Sequence, residues 1–122
     1  MKFKDYFNND FETLEDHYIP ELRTRYYRCT ADAAKKTVMD LIEHEQAKLR
    51  EVVEQYNEIF FQGSNYTCII TVISPRIAET AIDIKITTYK AIPAGAGKKI
   101  IDRMYKYLDS KLSFKGVSLY KG

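Results

Sequence analysis

Tryptophan is absent from this 122-residue chain, and cysteine and histidine occur only twice each. Without tryptophan, aromatic packing falls to ten tyrosines and six phenylalanines, and so many hydroxyls place a good part of these rings at the edge of a core. Cys29 and Cys68 are 39 residues apart, with no C-x-x-C pair and no Cys/His cluster. Zinc and redox chemistry therefore have no local support, no cofactor is expected, and both thiols are expected to be free and at least half buried. No apolar run approaches the roughly 20 residues that span a bilayer. The opening "MKFKDYFNND" has no apolar segment or small-residue cleavage site of a secretory signal, so the cytoplasm is the expected compartment. Low-complexity tracts, repeats and linker-like stretches are likewise missing.

What is present is an ordinary globular balance, 45% hydrophobic and 30% charged, which predicts one domain over residues 1–122 with one core. Phe3, Phe7, Phe11, Leu14 and Tyr18 recur at helical spacing and predict an N-terminal helix, starting at the first residues or at Asp10 and ended by Pro20. "ELRTRYYRC" suits an edge strand, although Leu22, Tyr26 and Cys29 also fit a helical stripe. Thr30 is a plausible N-cap, with Asp32 in the first turn where a negative charge suits the helix dipole. From there Ala34, Val38, Leu41, Ile42, Leu49, Val52, Val53 and Tyr56 predict one long helix from 31 to about 57, interrupted by the apolar-poor "EHEQAK". "EIFFQ", "YTCIITVIS" and "TAIDIKITTY" are β-branched and aromatic and are separated by turn residues, the pattern of an antiparallel meander. Ile82, Ile84 and Ile86 alternate with Asp83, Lys85 and Thr87, so one face of that strand is buried. Ile100, Ile101, Met104, Tyr105, Leu108 and Leu112 then line one face of a C-terminal helix, followed by a short tail.

The fold class is therefore α+β: an antiparallel meander of three to four strands against a C-terminal helix, preceded by a long helix and an N-terminal helix. In layout this is similar to helix-grip folds, a likeness that implies a ligand cavity between sheet and helix.

Several stretches resemble functional motifs without completing them. In "PAGAGKKI", a phosphate-binding P-loop would need glycine at 92 and a hydroxyl at 99, where Ile92 and Lys99 stand. A dinucleotide loop would need a third glycine at 100, where Ile100 stands. What survives is a glycine-lined helix start with two lysines, which attracts anions in general. The plain alternative is that Gly95 and Gly97 turn the chain from strand into helix. "HEQAK" begins like a zinc-protease motif but has Lys48 where the second histidine belongs, which leaves a solvated helix face. Cys29 with His17 or His44 is a generic nucleophile and base pair, and no nucleophile elbow is present, so the balance leans away from an enzyme.

Charge is uneven although the net is only +2: residues 94–122 carry +5 and residues 31–62 carry −3. The function expected from this is a non-catalytic binding or regulatory domain. Its basic helix face (Gly95, Gly97, Lys98, Lys99, Arg103, Lys106) would engage an acidic protein or nucleic acid. A second basic-aromatic element, Arg23, Arg25, Tyr26, Tyr27 and Arg28, has the cations and rings that single-stranded nucleic acid uses. The alternative is a small-molecule binder with an aromatic cavity offering Tyr66, Tyr89, Tyr105 and Tyr107. A homodimer through the long helix is also expected, because Leu49, Val52, Val53 and Tyr56 would overreach a small sheet.

Overall fold

The computed structural model describes residues 10–15, 17, 22–88, 95–117 and 119. Its elements run β1 (Asp10–Glu12), β2 (Arg25–Tyr27), α1 (Ala31–His44), β3 (Lys48–Val53), β4 (Glu58–Gln62), β5 (Tyr66–Arg76), β6 (Glu79–Thr88), α2 (Ala96–Lys111) and β7 (Phe114–Val117). Among the described residues the architecture is α+β: a seven-stranded antiparallel sheet with two α-helices and a short 3-10 turn at Glu54–Tyr56. Strands β3, β4, β5 and β6 follow one another as a meander, and β2 and β7 extend the sheet beyond β6. β1 pairs with β6 as well, opposite residues 85–87, while β2 lies opposite residues 80–82. β1 and β2 are thus two halves of one strand that leaves the sheet after Thr13 and returns at Thr24.

One face of the sheet is apolar by strict alternation. Cys68 opposes Ile86, Ile70 opposes Ile84 and Val72 opposes Ile82, all buried. Burying each such branched side chain contributes about 1.5–3 kcal/mol. On this face lie Ala34, Val38, Leu41 and Ile42 of α1, and Ile100, Ile101, Met104, Tyr105 and Leu108 of α2, in one core. The other face carries Phe60, Ile69, Thr71, Ile73, Asp83 and Lys85, half buried or exposed.

Four sequence expectations need correction. The sheet has seven strands rather than a three- to four-stranded meander, and the expected tail contains β7, paired with β2. The long helix stops at His44. There Gln46 takes a left-handed φ of 55°, its amide bonds to Glu43 O, and the Ala47 amide bonds to Ile42 O, the paired bonds of a Schellman stop. Glutamine in the place glycine usually fills left no sequence signal for that stop. Leu49 and Val52 then lie in β3, opposite Phe61 and Ile59. Of the expected N-terminal helix, Phe11 instead lies in β1, its ring buried against the core. Phe3, Phe7 and Tyr18 lie outside the described residues. Among the described residues no helix is long and apolar enough to cross a membrane.

Candidate functional site

The basic helix face is α2, and its geometry begins at Gly95. This residue caps the helix in the left-handed region with φ 83°, and among the described residues no side chain caps the helix start. Gly97 is buried for another reason: a Cβ there would fall 2.2 Å from Cδ2 of Phe11. Both glycines serve the turn and the packing of the helix start. The remainder of "PAGAG", Pro93 and Ala94, lies outside the described residues.

The five cations of α2 divide by what they touch. Lys98 pairs with Asp102 one turn on, at 3.3 Å. Arg103 donates to Glu45 from Nε at 2.9 Å and Nη2 at 2.7 Å. The Lys111 ammonium lies 5.7 Å from the centre of the Tyr107 ring. Lys99 and Lys106 are exposed and touch no carboxylate among the described residues. Positions 99, 103 and 106 share one helix face, so Lys99 and Lys106 bracket Arg103 along a ridge of about 10 Å. Beside Lys106 is a hollow of about 200 Å³ lined by Arg25, Asp102, Tyr105, Lys106 and Asp109.

Glu45 is the residue that sequence reasoning most misplaced. Expected on a solvated helix face, its side chain is only 6% exposed, against 52% for Arg103. The helix stop at His44 turns it toward α2, where it also accepts the Tyr66 hydroxyl at 2.8 Å. Burial pushes its carboxyl up, but the hydrogen bonds from Arg103 and Tyr66, with the charges of Arg103 and His44, outweigh this and hold it below the ordinary glutamate range. The pair neutralises Arg103 without removing Lys99 or Lys106 from solvent.

The basic-aromatic segment divides across the sheet because strand residues alternate. Arg25 and Tyr27 face the helices. Arg25 donates to Asp109 at 2.7 Å and lies 4.1 Å above Phe114, and the Tyr27 hydroxyl donates to the same carboxylate at 2.7 Å. Tyr26 faces the opposite side and donates to Glu15 at 2.8 Å. Both tyrosine rings are buried. Arg23 donates to the His17 carbonyl, and Arg28, exposed, donates to that of Phe114.

The described tyrosines among those expected to line a cavity reach different partners. Tyr66 reaches Glu45, Tyr105 donates to Ile82 O at 2.8 Å, and Tyr107 packs on His44 with ring centres 4.6 Å apart. Tyr89 lies outside the described residues. Burial raises the phenol pKa of both Tyr66 and Tyr105. Cys29, His17 and His44 lie on separate segments: after β2, between β1 and β2, and at the end of α1. Burial also pushes the Cys29 thiol up, against a hydrogen bond with Thr80. Among the described residues, no group of three or more His, Cys, Asp or Glu could hold a metal ion.

One polar cluster had no sequence motif at all. Where the split strand leaves the sheet, the Thr13 and Thr24 hydroxyls both donate to Oδ1 of Asp83 at 2.6 Å. Thr13 also accepts the Ile84 amide at 2.9 Å. Burial raises the Asp83 pKa despite these bonds, with Glu15 and Glu12 adding to the rise. Hollows of about 240 and 280 Å³ flank it on the open face of the sheet. The alternation of Asp83 with isoleucines put it on this face, but its threonine partners, 59 and 70 positions away, carried no local signal. Comparison with protein-family models, curated proteins and solved structures finds no match.

Proposed function

We propose that this chain is a non-catalytic binding domain that holds an anionic partner on the exposed ridge of α2. The observation that supports it is the pair Lys99 and Lys106, two turns apart on one helix face, in solvent and without carboxylate partners among the described residues. Asp102, Glu45 and Asp109 oppose the charge locally, but α2 carries five cations against two aspartates of its own. The ridge therefore keeps a positive field toward solvent. Because Tyr26 and Tyr27 are buried, the rings that would stack on bases are withdrawn, which favours an acidic protein surface over single-stranded nucleic acid. The compartment that goes with this reading is the cytoplasm, where the free thiols Cys29 and Cys68 stay reduced.

Parallel titrations with an acidic peptide, heparin and a single-stranded oligonucleotide test the proposal. Binding of the peptide and heparin that Lys99→Glu with Lys106→Glu abolishes supports it. Binding to none of the three, or binding indifferent to both substitutions, overturns it. An oligonucleotide preferred over both other anions would keep the ridge and replace the partner.

A further inference from the structure

Strand β3 ends the sheet, and among the described residues nothing pairs with its outer edge. We infer that this edge joins the β3 edge of a second copy, antiparallel about a two-fold axis, so that two sheets run on as one. Charge and register on the strand itself carry the inference.

An antiparallel pairing about a two-fold axis perpendicular to the sheet must set one strand position opposite itself, because neighbouring positions alternate in hydrogen bonding. In a regular strand that position is a single residue. In β3 it is two, since the ladder to β4 carries a bulge: Leu49 opposes Phe61 and Glu51 opposes Phe60, leaving Arg50 as the extra residue. Arg50 and Glu51 share the open face, where Arg50 donates from Nε to the Gln62 side chain at 3.0 Å. Centring the two-fold axis on this pair sets Arg50 beside the partner's Glu51 and Glu51 beside the partner's Arg50. On the helix side the same register sets Leu49 opposite the partner's Val52, twice over. Lys48 then comes opposite the partner's Val53, one residue from the partner's Glu54.

Among the described residues of one chain, neither charge of this pair meets an opposite charge. Arg50 meets only a neutral amide, and Glu51 meets no partner among the described residues. Leu49 is 43% exposed and Val52 is also exposed. Met39, one helical turn from the Lys35 that pairs with Glu54, adds an exposed thioether on the β3 side of α1. Charges and bulges on an edge ordinarily keep other strands away. Here their order makes the strand complementary to its own reversed copy, and the isologous contact closes after two chains.

Light scattering on the full chain at tens of micromolar tests this, with far-UV circular dichroism to confirm folding. The expected mass is twice 14.3 kDa for the native chain. Arg50→Glu or Glu51→Arg alone sets like charges together and weakens association about tenfold or more. The double exchange restores the match and the dimer. Glu51→Arg is the cleaner single change, because it removes no contact within the chain. A native mass of one chain overturns the inference. So does a dimer indifferent to both single changes, which would use another surface, or a folded double variant that stays monomeric.

Discussion

Asp83 and Glu45 are both carboxylates drawn away from solvent, and their surroundings move them in opposite directions. For Glu45, two donors from Arg103 and one from Tyr66 overcome burial and lower its pKa. Its stabilisation is present above the unfolded value of about 4.3 and is lost as pH falls through the lower folded value. Glu45→Gln is expected to cost about 1.5–3 kcal/mol at pH 7, toward the lower end because Arg103 is half exposed. That gap from the native chain should close in denaturant melts as pH drops below about 4. For Asp83, burial outweighs two hydroxyl donors and raises its pKa. Stability is therefore lost as pH rises from the unfolded value of about 3.9 through the higher folded value, and the loss remains in full above it. Asp83→Asn keeps an oxygen for Thr13 and Thr24 and removes the buried charge, so its thermal midpoint at pH 7 should equal or exceed the native one. Asp83→Ala strands both hydroxyls and should cost about 1–3 kcal/mol. Equal losses in the two variants would contradict this account of the cluster.

At the scale of elements, legibility followed the source of each element's order. α2 was readable because its apolar stripe, Ile100, Ile101, Met104, Tyr105 and Leu108, is all local. β6 was readable because its isoleucines alternate. α1 was readable to its middle, and its stop was not, since Gln46 adopts a glycine-like conformation without being glycine. β3 was hidden by its bulge, which places Leu49 and Val52 three residues apart, a spacing that also suits a helix. β1 and β2 are three residues each and owe their existence to a distant strand. In the candidate site, the lysines of the ridge were legible from charge alone. The roles of Glu45, Asp109 and Asp83 were not, because each depends on partners far along the chain. Gly97→Ala would drive a methyl into the Phe11 ring and cost about 1–3 kcal/mol, offset by at most about 1 kcal/mol of helix propensity. Shortening the ring with Phe11→Leu should reduce the added cost of Gly97→Ala. Gly95→Ala should cost about 1–2 kcal/mol through its left-handed φ alone, with no dependence on Phe11. Thermal melts of these variants and their doubles separate the two mechanisms.

Across the described residues, both helices pack on one sheet face, the other face carries half-buried and exposed side chains, and Lys99, Arg103 and Lys106 of α2 are exposed. Tyr66, Tyr105 and Tyr107, expected to share a cavity, reach separate partners. Of the surface cations, Arg25, Lys98 and Arg103 are held by Asp109, Asp102 and Glu45. Lys99 and Lys106 are the ridge's cations without a carboxylate partner among the described residues, and the proposed function rests on them. The most direct measurement is fluorescence anisotropy of a labelled acidic peptide, titrated with the native chain and with the Lys99→Glu, Lys106→Glu variant at about 50 and 200 mM salt. The account predicts binding by the native chain at low salt, a marked loss at high salt, and no binding by the variant at either. Equal affinity at both salt concentrations, or a variant that binds like the native chain, would contradict it.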